Sequence, residues 1–131
     1  MSASPPVHAL TVVYARNIER VAEFYRKTLS LELVEQDDAF VVLGNPHYEI
    51  AVVHIAADRA PAPVPGPLHV RTGTPIKGSF LVENLDHARA AAESCGGAFK
   101  PLASAWRWRD QLHLDGHDPE GNVVQVRALA P

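Results

Sequence analysis

The sequence predicts an α+β fold in which two β-α-β-β-β modules form curved mixed sheets around a cavity. Three observations carry that expectation. The order strand, helix, three strands occurs twice along the 131 residues. Prolines gather between the two runs, with five of the eleven falling from Pro61 to Pro75. Each run has only one amphipathic helix, enough to cover one face of its sheet, so the other face must be covered or must line something.

In the first run, Val7 to Val13 reads as a strand. Asn17 is placed to cap a helix from Ile18 to Thr28, with Ile18, Val21, Ala22, Tyr25 and Leu29 at helical spacing. Strands follow at Leu31 to Glu35, Phe40 to Leu43 and Tyr48 to Ile55, and Gly44-Asn45-Pro46 separates the last two. Pro61, Pro63, Pro65 and Pro67 then remove a backbone donor at every second position, which suits a stiff extended linker. In the second run, Ile76 to Glu83 reads as a strand, and Asp86 as the cap of a helix from His87 to Cys95 that Gly96-Gly97 stops. Strands are expected near Ala98 to Leu102, from Ala105 to Leu114 and from Val123 to Leu129, with Gly116 to Asn122 as the turn before the last. The chain therefore reads as one domain, 1–131, with module one at about 7–56, a linker at 57–75 and module two at about 76–129.

Composition narrows the function. Twelve Lys+Arg against fifteen Asp+Glu give a net charge of −3, no basic footprint for nucleic acid. No apolar run is long enough to span a membrane. A lone cysteine, Cys95, excludes an internal disulfide, and Met1 to Pro6 lacks the basic and apolar regions of a signal peptide, which together predict a cytoplasmic protein. Cys95 ends a helix rather than opening one, so it lacks the setting of an activated thiolate.

The stretch His8 to Leu33, with its Phe24-Tyr25-Arg26-Lys27-Thr28-Leu29-Ser30-Leu31 run, resembles the opening of vicinal oxygen chelate proteins, the superfamily of glyoxalases, bleomycin-resistance proteins and extradiol dioxygenases. The segment Gly116-His117-Asp118-Pro119-Glu120-Gly121-Asn122-Val123-Val124-Gln125 is similar to that superfamily's closing turn. The resemblance covers nearly the whole chain and is more specific for fold than for chemistry. It implies a glyoxalase/bleomycin-resistance-like fold, a homodimer and a small-molecule ligand. In metal-dependent members it also implies a divalent ion held by side chains from the first and last strands of each module.

Those four positions fall on His8, Glu49, Lys77 and Gln125. An imidazole and a carboxylate are competent ligands. An ammonium has no lone pair, and a glutamine brings an amide oxygen without charge. Two readings stay open. A site of His8, Glu49 and Gln125 would hold zinc, nickel, iron or manganese and serve a lyase, isomerase, dioxygenase or thioltransferase. Alternatively Lys77 pairs with Glu49 where the ion would sit, and the protein binds a small molecule with no cofactor. A third course uses Lys77, His8 or Glu49 as an acid or base without metal.

The candidate ligand surface is Ala105-Trp106-Arg107-Trp108-Arg109, which alternates as a strand should. With Trp106 and Trp108 toward the cavity a planar ligand is favoured; with Arg107 and Arg109 there, an anionic one. Phe40, Val42 and Tyr48 are candidates for the opposite wall. His113 and Asp115 share a strand face, while His117 and Asp118 are assigned to the turn.

Overall fold

A computed structural model describes residues 9–56, 58–60 and 65–131. Strand β1 (Ala9–Ala15) leads into helix α1 (Ile18–Thr28), followed by β2 (Glu32–Gln36), β3 (Phe40–Gly44) and β4 (Tyr48–His54). These strands form one sheet in the order β1-β4-β3-β2, with β1 parallel to β4 and the rest antiparallel. The second sheet is built from β5 (Gly78–Leu81), β6 (Ala98–Phe99), β7 (Trp106–Trp108), β8 (Gln111–His117) and β9 (Val123–Leu129), and α2 (Leu85–Ser94) follows β5. Its order is β5-β9-β8-β6, with β7 also paired to β8 and β5 parallel to β9. No helix among the described residues is long and apolar enough to cross a membrane.

Local chemistry explains the boundaries. Asn17 caps α1 by accepting from the Arg20 N–H at 3.0 Å, as its position predicts. Glu19 in the first turn and Arg26 and Lys27 in the last complement the helix dipole. For α2 the expected cap is corrected. Asn84, not Asp86, accepts from the His87 N–H at 2.9 Å, and Asp86 sits in the first turn, where its charge also favours the helix. The strand expected from Ala105 to Leu114 is broken, because Arg109 and Asp110 both adopt left-handed backbone (φ 55° and 59°) and turn β7 back onto β8. Conversely β8 continues through His117, so the closing turn starts at Asp118. The Asp118 carboxylate accepts from the N–H groups of Glu120 and Asn122, and Gly121 takes φ +86° beneath the His69 carbonyl, where a side chain would collide.

The two halves share one core. Helix α1 packs on β3 and β4, α2 on β6 and β9, and the two helices touch. Phe24, fully buried, stacks on Phe99 at 6.3 Å between ring centroids and meets the edge of Tyr25 at 5.0 Å. The Tyr25 hydroxyl donates to buried Asp118 at 2.8 Å, and burial followed by that neighbouring charge pushes the phenol well above its usual range. Glu120 accepts from the Arg16 and Asn17 N–H groups, tying the closing turn of the second half to the start of α1. Each sheet thus turns its helix-covered face to the common core, and among the described residues no helix covers its other face.

Candidate functional site

Strand alternation decides which residues reach the uncovered face of the second sheet. Val124, Val126 and Ala128 of β9 and Leu114 of β8 face the core, so Gln125 and Arg127 of β9 and Gln111, His113 and Asp115 of β8 face the other way. Ser79 is in register with Gln125, and Trp106 with His113, which brings both onto the same face.

These side chains are joined. Lys77 donates to Asp115 Oδ1 at 2.9 Å, and Gln125 Nε2 donates to the same oxygen at 3.0 Å. Ser79 donates to Gln125 Oε1 at 2.6 Å and accepts from Arg127 Nε at 3.0 Å. Arg127 Nη1 donates in turn to Gln111 Oε1 at 2.9 Å. Burial alone would raise the Asp115 carboxyl; the hydrogen bonds from Lys77 and Gln125 and the charges of Lys77 and Lys100 outweigh it and hold the group below its ordinary value. Beside this network lies an aromatic platform. Trp106 stacks on His113 at 4.3 Å and 12°, Trp108 approaches the same imidazole at 5.7 Å, and His113 beneath them is only 2% exposed. The two indoles remain 45% and 57% exposed.

The uncovered face of the first sheet is different. Leu10, Val12 and Tyr14 of β1 are about half exposed there. Ala51 and Val53 of β4 and Phe40 and Val42 of β3 share the face by register. Glu49, opposite Leu10 and Gly44, belongs to it too.

Each predicted residue now has a place. Trp106 and Trp108 share the uncovered face, whereas Arg107 points to the other side of the sheet, opposite Leu112. Arg109 occupies the β7–β8 turn with its guanidinium 5.3 Å from the Trp108 ring. Tyr48 does not join Phe40. It lies one residue out of phase, packs on Phe80 at 5.1 Å, and burial raises its hydroxyl. The expected Lys77–Glu49 pair is replaced by Lys77–Asp115, because the segment leading into β5 borders the second sheet while Glu49 stands on the first. His8 lies outside the described residues. Sequence reading passed over Arg127 and Gln111; the alternation Gln125-Val126-Arg127-Ala128 was the signal for the first of these.

Two clefts accompany these faces. One of about 850 Å³ runs along β1, the 66–71 segment and the start of β5. A second, of about 510 Å³, contains Lys77, Asp115, Lys100 and His117. Among the described residues no group of three or more His, Cys, Asp or Glu side chains is arranged to hold a metal ion.

Paired β-α-β-β-β halves with a last strand entered through an Asp-Pro-Glu-Gly-Asn turn define a vicinal oxygen chelate protein, and the comparisons agree. Residues 10–127 match the glyoxalase-like domain family, and the chain belongs to it. Among solved structures it is similar to a glyoxalase/bleomycin resistance protein from Albidiferax ferrireducens T118, at 18% identity over 93% of this chain and 97% of that one, with TM-score 0.66. It is also similar to TioX from Micromonospora sp. ML1, at 12% identity over 95% and 99%, TM-score 0.65. Lactoylglutathione lyase from Agrobacterium tumefaciens shares 23% identity over 95% of each chain, TM-score 0.59. At these identities the likeness establishes fold alone. No curated protein matches in sequence.

Proposed function

We propose that the protein is a small-molecule-binding member of the glyoxalase-like family whose metal positions have been converted to a charged, hydrogen-bonded network. The observation that carries this reading is the bonding of Lys77 and Gln125. Lys77 has no lone pair and is held by Asp115; Gln125 spends its oxygen on the Ser79 hydroxyl and its amide N–H on Asp115. The two side chains that module two sets at the metal positions therefore do not suit a divalent cation. The protein works as a cytoplasmic homodimer in this reading. Among the described residues β1 and β5 each end their sheet, and the apolar side chains Leu10, Val12 and Tyr14 of β1 are about half exposed, so a second copy would cover both.

Calorimetric titration of the full chain with Zn²⁺, Ni²⁺, Mn²⁺ and Fe²⁺ tests the metal side, and light scattering on an eluting column tests the dimer. The expected results are no stoichiometric ion and a dimer mass. One ion bound per chain, lost on Glu49→Ala, would instead establish the metal-dependent reading based on His8 and Glu49.

A further inference from the structure

We infer that the uncovered face of the second sheet is a site for a small aromatic carboxylate, with Arg127 holding the carboxylate and Trp106 and Trp108 carrying the ring. This rests on the small-molecule reading above and narrows it to a ligand class.

The charge balance of the face comes first. Among the described residues it carries the cations Lys77 and Arg127, with the Arg109 guanidinium over the Trp108 ring at its rim, and one anion, Asp115, which is committed to Lys77. Arg127 makes no ion pair among the described residues. Two neutral acceptors hold its guanidinium in place, Ser79 Oγ on Nε and Gln111 Oε1 on Nη1. A guanidinium has five N–H donors, so three remain, one on Nη1 and two on Nη2. Those are the two nitrogens that grip a carboxylate end-on through paired hydrogen bonds. Burying an aliphatic isostere would need no such orientation. A half-buried guanidinium fixed by uncharged partners is arranged for an anion supplied from outside.

The ring site follows from register. Trp106, His113 and Arg127 stand in one row across β7, β8 and β9. Neighbours in such a row are about 5 Å apart, so Trp106 and Arg127 start about 10 Å apart. The Trp106 indole stacks on the intervening His113, with ring centroids 4.3 Å apart and planes within 12° of parallel. A ring stacked on the indoles and bearing a carboxylate spans the remaining distance. The half-exposed indole surface and the unneutralised guanidinium thus complement two ends of one molecule.

The chain's two tryptophans both lie on this face, so their indole N–H resonances report occupancy directly. The probes are 2-naphthoate, neutral 2-naphthamide and cationic 2-naphthylmethylammonium, titrated into the full chain by calorimetry and ¹H–¹⁵N NMR. The expected result is saturable 2-naphthoate binding that shifts both indole signals, with the amide weaker by about tenfold or more. Arg127→Gln should weaken 2-naphthoate by a similar factor and leave the amide within about twofold, and Arg127→Lys should recover part of the loss because charge returns without the fork. Equal binding of amide and carboxylate, or 2-naphthoate binding indifferent to Arg127→Gln, overturns the assignment. So does the absence of any 2-naphthoate-dependent shift, including the case where the indole signals respond only to dilution because a second copy covers them. Preference for the cationic probe would overturn this ligand class and leave the small-molecule reading standing, whereas a stoichiometric metal ion would overturn that reading itself.

Discussion

The two sheets have the same strand-helix-strand plan and opposite uncovered faces. On the first, Leu10, Val12 and Tyr14 line up with Val42 and Ala51, bordered by Glu49 and, on β2, by Glu35 opposite Val42 and Glu32 opposite Gly44. On the second, the equivalent strands and the residue leading into β5 present Lys77, Ser79, Gln125 and Arg127, with Asp115 and His113 beside them on β8. Core-facing positions are apolar in both halves, because each buries one face under its helix against a shared seam. The uncovered faces are under no such constraint. A duplicated plan therefore conserves packing where the halves meet and leaves chemistry free to diverge where they do not.

The seam itself offers the most severe way to break the comparison. Phe24→Ala removes a fully buried ring that stacks on Phe99 of the other half, and it should cost about 3–5 kcal/mol. Chemical denaturation should show both halves losing stability in a single transition; loss of only one half would mean that the core is not shared. The next largest effect is on self-association. Val12→Asp sets a charge in the middle of the apolar face and should weaken dimerisation by about a hundredfold or more, read by sedimentation, with little change in monomer stability.

Asp118→Ala tests the tie between the halves. It leaves the buried Tyr25 hydroxyl and the backbone donors of Glu120 and Asn122 without their acceptor, at about 2–3 kcal/mol in equilibrium unfolding. The smallest effect belongs to the polar face. Lys77→Met should raise the Asp115 carboxyl toward its ordinary value, visible in a carboxyl NMR titration. A carboxylate depressed in the folded state adds stability above its unfolded value, and that stability is lost as pH falls through the folded one. The variant should therefore be less stable than the parent by about 0.2–1 kcal/mol at neutral pH, a figure kept small by solvent screening of a pair about one-third exposed. That difference should begin to shrink near pH 4 and vanish once the pH has fallen through the parent's depressed folded value.

Much of this plan was legible in the residues. Helix α1 matches from Ile18 to Thr28, cap included, and β9 matches from Val123 to Leu129, because both rest on periodicity and local hydrogen bonds. The errors lie where two local signals competed. Asn84 and Asp86 are both good caps, and the backbone geometry at Asn84 decided between them. Arg109-Asp110 carries no glycine to announce a tight turn, yet the chain reverses there.

By itself the sequence determined the two-module α+β plan, since periodicity and helix capping are properties of residues in order. Only the tertiary structure decided that Lys77 meets Asp115 rather than Glu49, that the tryptophans and not Arg107 share the uncovered face, and that Arg127 stands beside them without a counter-charge among the described residues. Strand pairing and register join residues far apart in the chain, and a shift of one residue would exchange every face.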